Sequence, residues 1–198
     1  MIEKYEKYLQ IIGSSLDKFF EQQKPYIFCK EGCSICCETG SYPLSKIEFD
    51  YIMIGYEKLP REIKEKIKEN IESIKAEKNN FTQKKEFMHA CPFLINKKCS
   101  VYNNRAIICR SYGLMSYYDD KDGVQKYKIP CCVDNGLNYS NVYDKKLKTI
   151  TSKKWEETGI EIEPVSHNID LFFLHNNETT KHLNLEFGTL KSIIDWFD

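Results

Sequence analysis

The sequence predicts a mostly α fold. Between residues 2 and 78, apolar residues recur at the three- and four-residue spacing of amphipathic helices. No internal repeat and no alternation of strands with helices typical of βαβ units is present. The 198 residues are 41% hydrophobic and 29% charged, which is ordinary for one globular domain with a core of its own. We therefore expect a single domain over residues 1–198.

Three helices are predicted in the first half of the chain. The apolar spacing over residues 2–23 indicates an amphipathic N-terminal helix. Ser45 and Glu48 form a capping-box pattern, which predicts a helix over residues 46–58. Residues 61–78 follow a proline and carry a narrow isoleucine seam, which predicts a third helix. The seam consists of Ile63, Ile67, Ile71 and Ile74.

The remaining elements are short. Residues 29–40, rich in Gly, Ser and Cys, are predicted to form a loop. A small hairpin is expected with a strand at 93–95 that turns at 96–98. Helices are expected at 152–158 and at 190–197, where apolar residues share one helical side. The domain would then comprise the N-terminal helix, a cysteine-rich core over 26–135 and a C-terminal helical extension over 140–198.

Charge and hydropathy exclude several classes of function. The 29 basic and 29 acidic residues cancel, whereas a nucleic-acid surface needs a basic excess. The N-terminus has no signal-peptide pattern, and no apolar run approaches the ~18 residues of a membrane span. We therefore expect a cytoplasmic protein that binds neither nucleic acid nor membrane. Thiols stay reduced in the cytoplasm, so its nine cysteines indicate metal or redox chemistry rather than disulfides.

The first cysteine cluster has the spacing of a metal-binding loop. Cys29, Cys33, Cys36 and Cys37 fall within nine residues, so a short loop can bring their thiolates to ~2.3 Å from a metal. Gly32 suits such a loop because its backbone adopts conformations that a side chain resists. Four cysteines this close together rarely arise for packing alone.

A second set of cysteines is more widely spaced. Cys91, Cys99 and Cys109 belong to different local elements, which the fold must bring together. Cys131 and Cys132 add late ligand candidates. In extended backbone, adjacent side chains diverge. Cys36 and Cys37, and likewise Cys131 and Cys132, are therefore expected to serve different metals or different irons of one cluster. The sequence predicts a fold organised around a cysteine-ligated metal site.

These motifs resemble a known family. CKEGCSICC followed by CPFLINKKCSVYNNRAIICRSYG is similar to the CxxCxxCC, or YkgJ-type, cysteine-cluster family, described as zinc- or iron-chelating domains. The resemblance covers residues 26–135. Some relatives are called iron–sulfur oxidoreductases, and the domain also resembles that of flagellin lysine methylases. The ligands that the resemblance implies are Cys29, Cys33, Cys36, Cys37, Cys91, Cys99, Cys109 and one late cysteine.

The chain departs from the family pattern at two positions. Three residues, rather than two, separate Cys29 from Cys33, which leaves the role of Cys29 open. Ala106 stands where the family usually has proline.

Other residues near the cysteines are functional candidates. Only three arginines occur, and two of them, Arg105 and Arg110, flank Cys109. A guanidinium can bind a substrate anion or a cofactor, or it can form a buried structural ion pair. His89 is a candidate nitrogen ligand, whereas the other histidines are expected at the surface or in packing. Three tyrosines are expected to pack over the metal region and exclude water: Tyr112, Tyr117 and Tyr118.

Three functions remain open from the sequence. The favoured hypothesis is an iron–sulfur or iron protein that performs redox chemistry or modifies a peptide or protein. The second is a zinc-stabilised interaction module without catalysis. The third, a metal buffer or carrier, is disfavoured because the cysteines lie within a folded domain. The Cys29–Cys33–Cys36 spacing also matches radical S-adenosylmethionine enzymes, but their repeated strand–helix units are missing here.

Overall fold

A computed structural model describes residues 1–30, 32–39 and 41–198, with Thr39 described by its backbone only. About 48% of the chain is helical, which confirms the mostly α prediction at that level. The α-helices are α1 Ile2–Gln22, α2 Ile35–Thr39, α3 Lys46–Glu57, α4 Arg61–Asn79, α5 Ile107–Ser111, α6 Ser152–Thr158, α7 Leu171–His175 and α8 Glu178–His182. The described residues also form short 3-10 helices at Lys24–Tyr26, Tyr102–Asn104, Cys131–Asn135 and Ile193–Trp196.

The strands form antiparallel two-stranded pairs. They are β1 Pro43–Leu44, β2 Leu94–Ile95, β3 Lys98–Cys99, β4 Ser116–Asp119, β5 Gln125–Lys128, β6 Tyr143–Asp144, β7 Thr149–Ile150 and β8 Lys191–Ser192. The pairs are β1 with β8, β2 with β3, β4 with β5 and β6 with β7. Among the described residues, no helix is long and apolar enough to cross a membrane.

Backbone contacts divide the chain into two compact units. The first unit comprises residues 1–5, 31–109 and 185–198, and the second comprises residues 6–30 and 110–184. The contiguous cysteine core expected at 26–135 therefore contributes residues to both units. Whether the chain folds as one domain stays a prediction.

The first unit is built on α3 and α4. Ser45 and Glu48 form the full reciprocal capping box of α3, and Ile67 and Ile74 of α4 are buried as the predicted seam requires. Asn96 and Lys97 both have positive φ angles of 50° and 61°, so the β2–β3 hairpin turns as predicted. The buried core of this unit consists of Leu44, Ile52, Tyr56, Ile67, Phe93, Val101, Ala106 and Ile193.

Two predictions for the first unit are wrong. The expected loop at 29–40 contains helix α2, although Glu31 and Gly40 lie outside the described residues. The expected helix at 190–197 is instead β8 followed by a 3-10 helix. β8 pairs with β1, and the indole N–H of Trp196 donates to the carbonyl of Leu44 at 2.9 Å. These contacts override a helical preference that is weak in so short a terminal segment.

The second unit packs around aromatic residues. Tyr26 and Tyr139 are fully buried and stack with ring centroids 5.8 Å apart, alongside Met115, Val133 and Val142. The helix predicted at 152–158 is present as α6, with Thr151 as its N-cap. The β4–β5 and β6–β7 hairpins were not predicted. The second of them lies in the C-terminal extension, which is therefore less helical than expected. Asp122–Gly123 was the available turn signal for β4–β5.

His167 gives the second unit a pH-dependent stability. Its ring stacks on Phe19 with centroids 4.0 Å apart, and burial lowers the imidazole pKa below 6.5. The unfolded chain therefore binds a proton at a higher pH than the folded chain. The contribution of the neutral His167 side chain to the free energy of unfolding is fully present above about pH 6.5. It is lost as the pH falls towards the folded-state pKa.

We expect His167→Phe to flatten this dependence, because phenylalanine keeps the stacking and cannot be protonated. Urea unfolding of the variant and wild type between mildly acidic and neutral pH measures the difference. The matched control is His182→Phe, at an exposed position. Equal acid destabilisation of wild type and His167→Phe would contradict the assignment.

Candidate metal centre

Four thiols from separate segments of the first unit share one neighbourhood. Cys36 lies on α2, Cys91 precedes β2, Cys99 ends β3, and Cys109 lies on α5. Each of these thiols interacts electrostatically with the other three. We call these four residues the first thiol group. The fold thus brings together cysteines whose spacing alone was weak evidence for a site.

Burial is the main influence on the pKa values of the thiols of Cys91, Cys99 and Cys109. It raises the pKa of Cys91 and Cys99 above the ordinary value, and it raises the pKa of Cys109 to about 12. The neighbouring thiols add to each shift, because a second thiolate in the same place would be repelled by the first. A metal cation reverses this balance, since a coordinating thiol is deprotonated outright.

Backbone amides point at two of the sulfurs. The N–H of Phe93 hydrogen-bonds the Cys91 thiol, and the N–H of Val101 hydrogen-bonds the Cys99 thiol. In both cases the donor lies two residues after the cysteine, and it favours the thiolate form. Such N–H···S bonds are the contacts that support and tune sulfur ligands of a metal.

Cys36 and Cys37 are close together rather than divergent. The expectation of extended backbone at this pair is wrong, because both residues lie on α2 and their sulfurs are 4.0 Å apart. Two thiolates bound to one tetrahedral metal at ~2.3 Å would be about 3.8 Å apart. The N–H of Cys91 also donates to the carbonyl of Cys37 at 2.7 Å, which links α2 to the first thiol group.

Glu48 positions the helix that carries Cys109. Its carboxylate is fully buried and accepts hydrogen bonds from the N–H and hydroxyl of Ser45, at 2.9 and 2.8 Å. The other carboxylate oxygen accepts from the N–H of Ile107, the first residue of α5, at 3.3 Å. The capping box was predicted, whereas the bond to Ile107 was not, because nothing local to Glu48 signals it.

Arg105 lies beside the first thiol group. Its positive charge partly offsets the burial that raises the pKa of Cys99 and Cys109. Its guanidinium carbon is 3.9 Å from the ring centroid of Tyr102, so the two side chains stack. Arg110 follows Cys109 on α5, where successive side chains diverge by about 100°. A role for either arginine in binding a cofactor or substrate stays a prediction.

His89 is engaged in hydrogen bonds. Its Nδ1 lies 2.8 Å from the carbonyl oxygen of Ala90, and its Nε2 lies 3.2 Å from the hydroxyl of Ser192. The ring is buried, so these contacts satisfy both nitrogens of a neutral imidazole. The geometry favours a packing role over metal ligation.

A second thiol group forms in the second unit. It consists of Cys29, Cys131 and Cys132. The buried Cys132 thiol hydrogen-bonds the exposed Cys29 thiol, and the Cys131 sulfur accepts from the hydroxyl of Tyr112 at 2.9 Å. The hydrogen bond with Cys29 and burial both raise the pKa of Cys132. Cys131 and Cys132 begin a 3-10 helix, so the expectation of extended backbone is wrong here too.

Asn138 organises this second group. Its side-chain oxygen accepts from the N–H groups of Phe28 and Cys29, at 2.8 and 3.0 Å, and its side-chain nitrogen donates to the carbonyl of Gly113 at 2.8 Å. Its own backbone N–H hydrogen-bonds the Cys132 sulfur. A Cβ on Gly113 would lie 2.9 Å from the Asn138 amide nitrogen, so glycine is needed there. No sequence signal pointed to Asn138.

The other predicted site residues lie elsewhere or stay predictions. Tyr117 lines a groove of the second unit and Tyr118 is exposed, and a role for either over the metal region stays a prediction. Tyr112 is the member of that trio that contacts a cysteine. Cys33 is partly buried in the first unit. Gly32 has a φ of +84°, the kind of conformation that the motif was expected to need.

The cysteine thiols are of the chemical type that binds metals, but among the described residues their side chains do not converge on one position. Within residues 1–30, 32–39 and 41–198, no three His, Cys, Asp or Glu side chains have the geometry of a metal site. The first thiol group nevertheless offers sulfur donors, N–H···S bonds and a nearby guanidinium. This is the donor set that zinc and iron–sulfur clusters use.

Comparison of the chain with protein-family models, with curated proteins and with solved structures found no match.

The hydrogen bonds of Glu48 lead to a stability prediction. Glu48→Gln should lower the free energy of unfolding by about 1–3 kcal/mol. The carboxylate accepts hydrogen bonds through both oxygens, whereas the NH₂ of glutamine cannot accept and would lie against another donor. Urea unfolding measures the loss. Glu57→Gln is the matched control on the same helix. The Glu57 side chain is exposed, so loss of its ion pair with Lys64 predicts a change within about 0.5 kcal/mol. Equal midpoints for Glu48→Gln and wild type would contradict this role.

Proposed function

We propose that the chain is a cysteine-ligated metalloprotein that binds iron, as an iron–sulfur cluster, through the first thiol group. The observation that carries the proposal is the mutual proximity of Cys36, Cys91, Cys99 and Cys109, which come from separate segments of one unit. The resemblance to the CxxCxxCC family supports the same conclusion, although that membership is itself a proposal. A bound cluster would supply one-electron transfer at a potential set by its charge and surroundings.

The residues around these thiols suit such a site. The N–H groups of Phe93 and Val101 would stabilise sulfur as thiolate, and Arg105 would offset part of the negative charge. Cys91, Cys99 and Cys109 pack against the apolar core of the first unit, which limits the access of water. Redox chemistry, or the modification of a peptide or protein, is the activity that we propose for this centre. Cytoplasmic location is part of the same proposal.

Metal content tests the proposal. We expect anaerobically purified protein to be brown, to contain iron and acid-labile sulfide, and to hold more than one metal atom per chain. Colourless protein with zinc and no iron would instead favour the interaction module without catalysis.

Cysteine variants test the ligands. Cys99→Ser and Cys109→Ser should each lose most of the iron, because serine oxygen is a poor substitute for thiolate in such clusters. Cys131→Ser is the matched control: Cys131 is exposed, and serine can still accept the hydrogen bond from Tyr112. Iron and sulfide analysis beside the visible spectrum measures the effect. Full iron in Cys109→Ser would remove that residue from the proposed ligands.

Arginine variants test the charge near the thiols. Arg105→Ala should reduce iron content or shift the reduction potential, whereas Arg105→Lys should retain most of the iron because the charge remains. Arg61→Ala is the control, since Arg61 is exposed and pairs with Glu65 on α4. If Arg105→Ala matches wild type in iron content and potential, Arg105 has no role at the centre.

A further inference from the structure

An open groove lies within the second unit. Its volume is about 640 Å³, within the range of roughly 300–1,000 Å³ typical of small-molecule sites. Its walls are the β4–β5 hairpin, residues 149–152 with Trp155 of α6, and residues 163–166. The thiols described above are not among the lining residues.

One face of the hairpin supplies aromatic side chains to this groove. Tyr117 and Tyr127 are directly opposite each other in the β4–β5 register, and both line the groove. Because side chains alternate across a strand, Lys126 and Lys128 belong to the other face. The hairpin thus places Tyr117 and Tyr127 on the groove face and its lysines on the opposite face.

Trp155 lines the groove and also packs against the aromatic core of the second unit. The indole N–H already donates to the carbonyls of Ile160 and Ile162, at 2.8 and 3.1 Å. Because the N–H is engaged, a ligand in the groove would contact carbon atoms of the ring that the core leaves uncovered. Tryptophan is the strongest aromatic partner for a cation.

Glu163 supplies a negative charge to the lining of the groove. It is the one charged residue among the described residues that line the groove, and it forms no ion pair within the described part of the chain. Its backbone is held by the buried Gln23, whose side-chain nitrogen donates to the Glu163 carbonyl at 3.2 Å. The oxygen of the same amide accepts from the N–H of Val165 at 3.0 Å. This wall is therefore organised before any ligand binds.

We propose that the groove binds a small quaternary ammonium compound, held by the aromatic rings of Tyr117, Tyr127 and Trp155 and by the carboxylate of Glu163. Rings attract cations through their negative faces, and a quaternary ammonium gives up little hydration when it enters such a site. A primary ammonium is strongly hydrated and needs hydrogen-bond acceptors on several sides. An anion would be repelled by Glu163, and the described residues that line the groove include no cation to offset it.

Calorimetric titration of the full chain with choline tests the proposal. We expect saturable binding at least tenfold tighter than that of the neutral isostere, in which a tert-butyl group replaces trimethylammonium. Ethanolamine should also bind at least tenfold more weakly than choline. Equal affinity for the neutral isostere, equal affinity for ethanolamine, or no saturable binding of choline at millimolar concentrations would each overturn the proposal.

Matched variants locate the site. Tyr127→Leu and Glu163→Gln should each weaken choline binding by about three- to thirtyfold. Tyr118→Leu, on the other hairpin face, and Glu161→Gln, at an exposed position outside the groove lining, should leave the affinity unchanged. Unchanged binding in both groove variants, or equal loss in the controls, would overturn the assignment. Iron content should stay constant in all four variants, so this test is independent of the metal proposal.

Discussion

A carboxylate that is buried away from solvent requires hydrogen-bond donors from the protein, and Glu48 meets this requirement with donors from two segments. Ser45 starts α3, and Ile107 starts the helix that carries Cys109. The two helix starts are therefore held at a defined position by one side chain. Apolar packing in the first unit would tolerate small displacements, but three directional bonds to one carboxylate do not. The placement of Cys109 beside Cys36, Cys91 and Cys99 depends on this constraint.

The second unit uses a neutral amide for a similar purpose. Asn138 joins the chain at Cys29, the carbonyl of Gly113 and the sulfur of Cys132, which lie far apart in sequence. An amide suits this position because it donates and accepts at once, as the two kinds of partner require. In both units a buried polar side chain thus holds the backbone close to one or two of the cysteines.

The surroundings of the first thiol group disfavour the ionisation of its thiols. Thiols that are buried together raise one another's pKa, so the group resists ionisation while it lacks a compensating positive charge. The amides of Phe93 and Val101 and the charge of Arg105 act in the opposite direction. The groove of the second unit differs in composition from the thiol group, since Tyr117, Tyr127, Trp155 and Glu163 are among the residues that line it.

The sequence by itself determined the elements that depend on close neighbours: α1, the capping box of α3, the isoleucine seam of α4, the β2–β3 turn and α6. Each of these is decided by residues within one or two turns of chain. It also identified the cysteines as ligand candidates, because their local density is unusual. Only the tertiary structure decided that residues 190–197 are not a helix, since a strand pairing and the Trp196 indole bond prevail there. It alone divided the cysteines into two groups and placed Cys36 and Cys37 on a helix. These outcomes depend on Glu48, Asn138 and other contacts between segments remote in sequence, which no local pattern encodes.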